Sequence, residues 1–270
     1  MTDRYSPHEE SVIWVTGAAS GIGRATADML VEQGAKVLAT DIAEQQLSWA
    51  DGLNNIETMV CDVTDESANA AAVAMAVDRF FNLTGAALNA GVAGAIAIDD
   101  PSGLDLLRLN LEVNVVGVVL GVRAALPAFR SNGNGAFTVT ASTSGIGGDP
   151  SMWTYNAAKG AVINLVRSLG VELAHENIRV NAVAPGPTET GMTQGLLAGG
   201  PNPISESLRK RVPMQRWGLA SEQAAAHCFL LSPEASFITG AILPVDGGIT
   251  ANTGQFDPVG GVASGGAASE

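Results

Sequence analysis

The 270-residue chain has few residues of the kinds that build disulfide frameworks, metal centres and anion-binding surfaces. Its two cysteines, Cys61 and Cys228, exclude a disulfide framework and fit a reducing compartment. Its three histidines, His8, His175 and His227, show no spacing typical of a metal site, so we expect none. Fourteen basic residues against 27 acidic ones give a net charge of −13. This charge argues against partners such as nucleic acids or an anionic membrane surface.

Long apolar segments are also missing. The first eleven residues are polar, so we expect no signal peptide. No uninterrupted apolar run reaches the ~18 residues of a membrane span, so no membrane partner is expected. With 46% hydrophobic and 15% charged residues, the composition predicts a folded globular chain. Together these features predict a cytoplasmic protein.

Short apolar runs alternate with longer helical patterns, which is typical of βα units around a parallel sheet. Strands are predicted at 12–16, 36–41, 56–61, 84–89, 136–141, 179–183 and 241–244. The first predicted helix follows the glycines after the first strand and extends to about residue 34. Further helices are predicted over 65–81, with Thr64 as N-cap, and over 102–130, 153–175 and 220–232. The predicted fold class is α/β, a doubly wound, seven-stranded, mostly parallel sheet with helices on both faces. One domain is expected over residues 1–250, followed by a loosely held Gly/Ala-rich tail at 251–270.

One stretch of the long predicted helix is almost entirely apolar. Between Glu112 and Arg123 the only polar side chain is Asn114. A helix that is apolar all round is buried on more than one side. One side is expected to cover the sheet and the other to meet a second subunit. Burial beneath another segment of the same chain is the alternative.

A glycine-rich loop follows the first predicted strand. Residues 16–23 read TGAASGIG, with Gly17, Gly21 and Gly23 in the spacing G-x-x-x-G-x-G. Glycines let the backbone approach a pyrophosphate closely, and a helix N-terminus offers free N–H groups and a partial positive charge. The loop therefore predicts a dinucleotide phosphate site, with a tight turn that binds no ligand as the alternative.

Asp41 ends the second predicted strand, 18 residues after Gly23. A carboxylate there accepts hydrogen bonds from the adenosine ribose and repels a 2′-phosphate. Residues 18–20 and 42–43 include no basic residue that could hold such a phosphate. The sequence therefore favours NAD over NADP, and an N-cap role for Asp41 is compatible with either cofactor.

Tyr155 and Lys159 lie four residues apart on a predicted helix, so their side chains share one face. A tyrosine with a pKa of about 10 is a poor base at neutral pH, but a neighbouring ammonium lowers that pKa. The pair therefore predicts a general acid/base that exchanges a proton with an alcohol or carbonyl oxygen. An ordinary surface pair is the alternative.

These motifs occur in an order that resembles a known family. Their order resembles that of the short-chain dehydrogenase/reductase family. The motifs that carry the resemblance are the glycine loop, a strand-end Asp, CDV at 61–63, NAG at 89–91, a helical Asn, Ser, Tyr-x-x-x-Lys and Pro-Gly. The resemblance covers about residues 11–250. It implies a Rossmann fold, a nicotinamide cofactor, a homotetramer, and hydride transfer between a secondary alcohol and a ketone.

The resemblance implies a role for each residue that matches the family's catalytic tetrad, namely Asn114, Ser142, Tyr155 and Lys159. Ser142 would orient the reacting oxygen for Tyr155. Lys159 would bind the nicotinamide ribose and lower the pKa of Tyr155. Asn114 would hold a water that links Lys159 to solvent in a proton relay, with a backbone-bonded polar residue as the alternative.

A larger set of residues matches the family's cofactor contacts, and Tyr155 and Lys159 belong to it. The others are Gly17, Ser20, Gly21, Ile22, Gly23, Asp41, Ile42, Asp62, Val63, Asn89, Ala90, Gly91, Pro185, Gly186, Thr188 and Thr190. Asp62 would accept a hydrogen bond from the adenine amino group, with a loop cap as the alternative. Leu88 stands where the family pattern has Asn. Several of these residues follow different predicted strands, the edge at which open α/β sheets bind ligands.

The segment 191–212 is the loop that closes over the substrate in the family. Apolar residues expected to form a lid or pocket wall, or alternatively ordinary packing, are Met152, Trp153, Met192, Leu196, Leu197, Met214 and Trp217. The sequence fits a dehydrogenase of steroids, of cyclic alcohols or of polyols equally well. The alternatives are a 3-oxoacyl-carrier-protein reductase that uses NADPH and a cofactor-binding regulator without chemistry. Asp41 disfavours the first and the complete tetrad disfavours the second.

Overall fold

A seven-stranded parallel sheet forms the centre of the protein. The structure is a computed structural model that describes residues 7–197, 202–254 and 258. Its strands are β1 (Val12–Thr16), β2 (Lys36–Asp41), β3 (Ile56–Val60), β4 (Gly85–Leu88), β5 (Gly135–Thr140), β6 (Ile178–Pro185), β7 (Thr188–Glu189), β8 (Gly218–Leu219) and β9 (Ile242–Val245). The sheet runs in the order β3-β2-β1-β4-β5-β6-β9, and β7 pairs with β8 outside it.

Both faces of the sheet are covered, so its central strands are apolar along their length instead of alternating. Every residue of β1 and β4 is buried, as are the first five residues of β5. Strand β1 pairs with both β2 and β4, and the order of the strands reverses between these two neighbours. Open α/β sheets form a ligand crevice at such a switch point, beyond the carboxyl ends of the strands.

Eight α-helices complete the described fold. They are α1 (Gly21–Glu32), α2 (Glu66–Phe80), α3 (Gly103–Leu111), α4 (Gly117–Asn132), α5 (Trp153–Glu172), α6 (Gln194–Leu197), α7 (Pro203–Arg211) and α8 (Ala220–Leu231). One core cluster joins the sheet to α2, α4 and α5, and a second joins it to α1 and α8. Helices therefore lie on both faces, and the predicted doubly wound Rossmann fold is confirmed.

Two local predictions are wrong. The N-cap of α2 is Asp65 and not Thr64, because the Asp65 carboxylate accepts hydrogen bonds from the N–H groups of Ser67 and Ala68. The Thr64 hydroxyl donates instead to Asp62, at 2.7 Å. The second error concerns segment 191–212, expected as a loop, which contains a 3₁₀ turn, α6 and α7 in its described part.

The long predicted helix over 102–130 is interrupted. A π-helical turn, Glu112–Val116, joins α3 to α4. By length and composition alone Gly103–Asn132 could cross a membrane, with a mean hydropathy of 1.6 over its most apolar 18-residue window. Packing accounts for part of this hydropathy, since Val122 and Phe129 lie in the core and α5 packs against α3 and the π turn. Burial beneath the same chain thus accounts for part of the apolar face, while Val116 remains exposed.

Candidate active site

A cavity of about 1230 Å³ opens beyond the carboxyl ends of the strands. Every residue predicted for the tetrad and for cofactor binding lines this cavity, except Gly23. A single drug-sized ligand occupies about 300–1,000 Å³, so the cavity has room for a dinucleotide and a second small molecule. The sequence motifs, which are spread over 170 residues of chain, therefore meet in one place.

The glycine loop lies between β1 and α1. Gly17 and Gly21 adopt φ values of +66° and +55°, a left-handed conformation that favours glycine. A Cβ atom at Gly17 would lie 2.8 Å from the Ala90 Cα, and one at Gly23 would overlap the Gly17 carbonyl oxygen. Gly23 thus serves close packing of the loop on the helix. Ser20 makes no side-chain cap to α1, which leaves the first-turn N–H groups without that partner and suits them to a phosphate.

The carboxylate of Asp41 is oriented by the backbone on both sides. Its two oxygens accept hydrogen bonds from the N–H groups of Ala19 and Ala43, at 3.0 and 3.1 Å. Each oxygen keeps a second lone pair that a ribose hydroxyl can use. The nearby Arg24 is already engaged, since it pairs with Asp28 at 2.8 Å and stacks 3.9 Å from the Trp49 ring centroid. Among the described residues, Lys159 and Arg211 are the basic side chains that line the cavity.

Two further turns close the cofactor end of the cavity. One oxygen of Asp62 accepts hydrogen bonds from the N–H and hydroxyl of Thr64, so the loop-cap alternative is realised while the second oxygen stays available. The Asn89 amide nitrogen donates to the carbonyl oxygens of Thr16 and Gly17, at 3.1 and 3.3 Å. Asn89 therefore ties the end of β4 to the glycine loop.

Ser142, Tyr155 and Lys159 converge beside the end of β5. Ser142 follows this strand, its hydroxyl oxygen accepts the Ser144 N–H at 3.1 Å, and the same hydroxyl makes a hydrogen bond with Tyr155. The Lys159 Nζ donates to the Thr140 carbonyl oxygen at 2.7 Å and lies 5.7 Å from the centroid of the Tyr155 ring. All three side chains line the cavity, so the pair on α5 is not an ordinary surface pair.

The electrostatics of this group differ from the expectation. Burial raises the pKa of Tyr155, a hydrogen bond with Ser142 opposes the rise, and the carboxylate of Asp149 adds to it. Burial also lowers the pKa of Lys159 to about 8. The largest cause of the Tyr155 shift is desolvation, and the lowering of the Tyr155 pKa by Lys159 stays a prediction.

Asn114 lies in the π turn and is completely buried. Its amide nitrogen donates to the Val92 carbonyl and to the Asn110 side-chain oxygen, and its own oxygen accepts the Val92 N–H. A Cβ atom at Gly91 would lie 2.6 Å from this oxygen, which explains the glycine there. The side chain thus holds the segment after β4 against the helix, and its two bonds to the Val92 backbone agree with the backbone-bonded alternative.

The substrate end of the cavity is more apolar. Of the expected lid and wall residues, Met152, Met192, Leu196 and Trp217 line it. Trp153 packs instead beside Gly103, and Met214 is largely exposed.

Several lining residues were missed by sequence reasoning. Thr140, Asp149 and Arg211 lack a motif of their own, although Thr140 ends a predicted strand. Asn252, Gly254 and Pro258 fall in the predicted tail, yet they line the cavity because β9 ends at the same edge of the sheet. Residues 255–257 and 259–270 of that tail lie outside the described residues.

Comparison with known proteins agrees with this geometry. A family model described as enoyl-(acyl carrier protein) reductase matches residues 17–250. A cis-4-hydroxycyclohexanecarboxylate dehydrogenase from Sinomonas cyclohexanicum is 40% identical over 90% of this chain and 97% of its own. A crystal structure of levodione reductase superposes with a TM-score of 0.83 at 32% identity, over 90% of this chain and 99% of its own. A Brucella melitensis 3-ketoacyl-(acyl-carrier-protein) reductase, solved with NADH, gives 0.83 at 31% identity over the same shares.

Fold, cavity and relatives together define a nicotinamide-dependent oxidoreductase. Within that class, the chain belongs to the short-chain dehydrogenase/reductase family.

Proposed function

We propose that the protein is an NAD-dependent dehydrogenase that interconverts a secondary alcohol and a ketone. The observation that carries the proposal is the convergence of Ser142, Tyr155 and Lys159 on one cavity whose other end presents Asp41. The glycine loop, the uncapped α1 N-terminus and the Asp41 carboxylate support the binding of a dinucleotide by their chemistry. When bound, NAD would supply the carbon that accepts a hydride.

Three side chains of the chain handle the proton of the alcohol. The Ser142 hydroxyl, which makes a hydrogen bond with Tyr155 in the chain by itself, would donate to the reacting oxygen and orient it toward Tyr155. The Tyr155 Oη would take the hydroxyl proton during oxidation and return it during reduction. Lys159, fixed by its bond to the Thr140 carbonyl, would bind the nicotinamide ribose and place a positive charge beside the phenolate. The proton relay, in which Asn114 would hold a water, remains part of the proposal.

The preference for NAD follows from charge at the adenosine end. Strand β5, where Lys159 is anchored, lies three strands from Asp41 at β2, which is ~14 Å at the usual spacing. A 2′-phosphate at Asp41 would therefore lie against a carboxylate and far from Lys159, while Arg24 is paired with Asp28 and stacks on Trp49. We infer the NAD preference from this arrangement.

The substrate class we propose is an apolar or cyclic secondary alcohol. Met152, Met192, Leu196 and Trp217 give the substrate end an apolar wall. The names of two relatives point the same way, since one acts on cis-4-hydroxycyclohexanecarboxylate and another is a levodione reductase. A carrier-protein reductase is the second candidate, because the Brucella relative carries that name.

Product formation from a substrate panel tests the proposal. NADH or NADPH formation is followed at 340 nm with cyclic, steroid, linear and polyol alcohols, and a 3-oxoacyl thioester is offered in the reverse direction. We expect turnover of a cyclic alcohol with NAD, and loss of it in Tyr155→Phe. Turnover of the thioester alone, with NADPH, would favour the carrier-protein reductase. Cofactor binding by a protein that turns over no substrate would favour the silent regulator.

The proposed assembly is a homotetramer. Edge strand β9 and its surroundings expose Phe237, Phe229 and Leu243, and the α3–π-turn region exposes Leu109 and Val116. Two separate apolar surfaces on one chain suit two kinds of subunit contact, as a tetramer with closed symmetry requires.

A further inference from the structure

His227 of α8 is completely buried and belongs to a chain of hydrogen bonds that runs from α8 to the glycine loop. Its Nδ1 lies 2.9 Å from the Thr138 hydroxyl oxygen, and its Nε2 lies 3.1 Å from the Thr140 hydroxyl oxygen. The Thr140 hydroxyl lies 2.9 Å from the side-chain oxygen of Asn89. Asn89 in turn holds the backbone carbonyls of residues 16–17.

The direction of each bond follows from counting protons. The Asn89 amide nitrogen donates to the loop carbonyls, so its oxygen is an acceptor and takes the single proton of the Thr140 hydroxyl. Toward His227 the Thr140 oxygen is therefore an acceptor, and Nε2 must carry the proton. Burial lowers the pKa of His227 to about 3, so the ring is neutral and Nδ1 accepts from Thr138. Every member of the chain has its partners.

Thr140 is the junction between this chain and the proposed catalytic group. Its hydroxyl leads through Asn89 to the glycine loop, while its carbonyl oxygen accepts Lys159. We infer that His227 is a positioning residue: by donating to Thr140 from the far face of the sheet, it fixes the glycine loop relative to Lys159. The inference rests on the proposed function, in which these two elements hold different parts of one NAD molecule.

Packing alone does not call for a histidine at this position. The other buried residues of α8 include Ala224, Cys228 and Leu231, which are apolar, and Gln223, whose amide nitrogen donates to Thr188 and Val245. A buried imidazole is costly unless both nitrogens are satisfied, and an aliphatic residue would fill the space without that requirement. The polar chain instead specifies one arrangement of Thr140 and Asn89, since another rotamer of either would leave a buried donor or acceptor unpaired.

Substitutions at residue 227 separate positioning from packing. His227→Gln keeps a donor near the place of Nε2, whereas His227→Asn keeps only the side toward Thr138, and His227→Leu keeps neither. Thr138→Val is the matched control, because it removes a buried hydrogen bond of His227 that does not lead to the loop. Two quantities are measured: the Kd of NAD by titration, and hydrogen exchange of residues 16–23 in the cofactor-free protein.

We expect His227→Asn and His227→Leu to weaken NAD binding about tenfold, the size of one lost buried hydrogen bond, and to speed exchange in the loop. His227→Gln and Thr138→Val should keep the wild-type Kd, and the KM for the alcohol should not change in any variant. If the Asn and Leu variants do not fold, Thr140→Val interrupts the chain at its next link and is expected to give the same two effects.

Two results would overturn the inference. One is a wild-type Kd and wild-type loop exchange in His227→Asn or, where that variant does not fold, in Thr140→Val. The other is an equal loss of NAD affinity in Thr138→Val, which would mean that any defect in this part of the core has the same effect. Failure of the wild-type protein to bind NAD is a separate outcome, since it refutes the proposed function itself.

Discussion

Replacing Asp41 tests the origin of cofactor choice most directly. The perturbation is a pair of variants, Asp41→Ala and Asp41→Asn. Both remove the charge, but the amide of Asn keeps an oxygen that can accept the Ala19 or Ala43 N–H. The pair therefore separates the charge of the carboxylate from its part in shaping the glycine loop.

The magnitude follows from Coulomb's law. Two unit charges 4 Å apart interact by about 4 kcal/mol at an effective dielectric of 20 and by about 1 kcal/mol in water. Asp41 is half-buried, so an intermediate value applies. For a phosphate that carries about 1.5 to 2 charges, a repulsion of about 3 kcal/mol is expected, or roughly 100-fold in affinity.

Cofactor titration followed by tryptophan fluorescence or calorimetry measures this effect. The Kd of NADP should fall roughly 100-fold in both variants, and the ratio of the NADP Kd to the NAD Kd should fall at least as much. The NAD Kd itself should rise about tenfold or more in Asp41→Ala, since charged hydrogen bonds to the ribose are lost. Wild-type protein that binds NADP as tightly as NAD, or an unchanged ratio in Asp41→Asn, would refute the reasoning.

Three further predictions concern the proton, the core and the assembly. Asp149→Asn removes a carboxylate that raises the pKa of Tyr155, so the alkaline rise in alcohol oxidation should move to lower pH; an unmoved profile would exclude the coupling. The pKa of His227 in the fold is about 3, below the unfolded value near 6.5. As the pH is lowered below 6.5, the free energy of unfolding should therefore decrease by up to about 1.4 kcal/mol per pH unit. Urea titrations should show a smaller slope for His227→Leu. Light scattering should give a tetramer mass that Phe237→Lys lowers, and a monomeric wild type would contradict the assembly.

Elements that bury apolar residues on both sides could be predicted closely. The predicted strands 12–16 and 36–41 have the same bounds in the structure, because each is an apolar run that ends at a polar turn. The pairing of β7 with β8 could not be predicted, since two-residue strands 30 residues apart have no periodicity. The sequence did contain a sign of α7, in which Asn202 caps a helix that begins at Pro203.

The candidate site shows the same division. Motif residues such as Gly17 and Tyr155 lie on the cavity because their chemistry demands particular residue types at a particular spacing. The direction of the Tyr155 pKa shift could not be predicted from the sequence, because desolvation depends on the burial that the whole fold imposes. The π turn at Asn114 could not be predicted either, since the apolar pattern runs through it without a break and Asn114 bonds there to Val92, 22 residues away.

The short ladder between β7 and β8 has a consequence for how the substrate specificity of such an enzyme can change. Thr188 pairs with Gly218 and Glu189 with Leu219, so the excursion that carries the lid leaves and rejoins the body of the protein at two adjacent points. Neighbouring strands are only ~4.8 Å apart, and lengthening a closed loop costs little entropy. We therefore expect the segment between these strands to be replaceable as a unit. A segment of another length from a relative could take its place, and the resulting enzyme should have a different substrate specificity with an unchanged cofactor site and acid/base group.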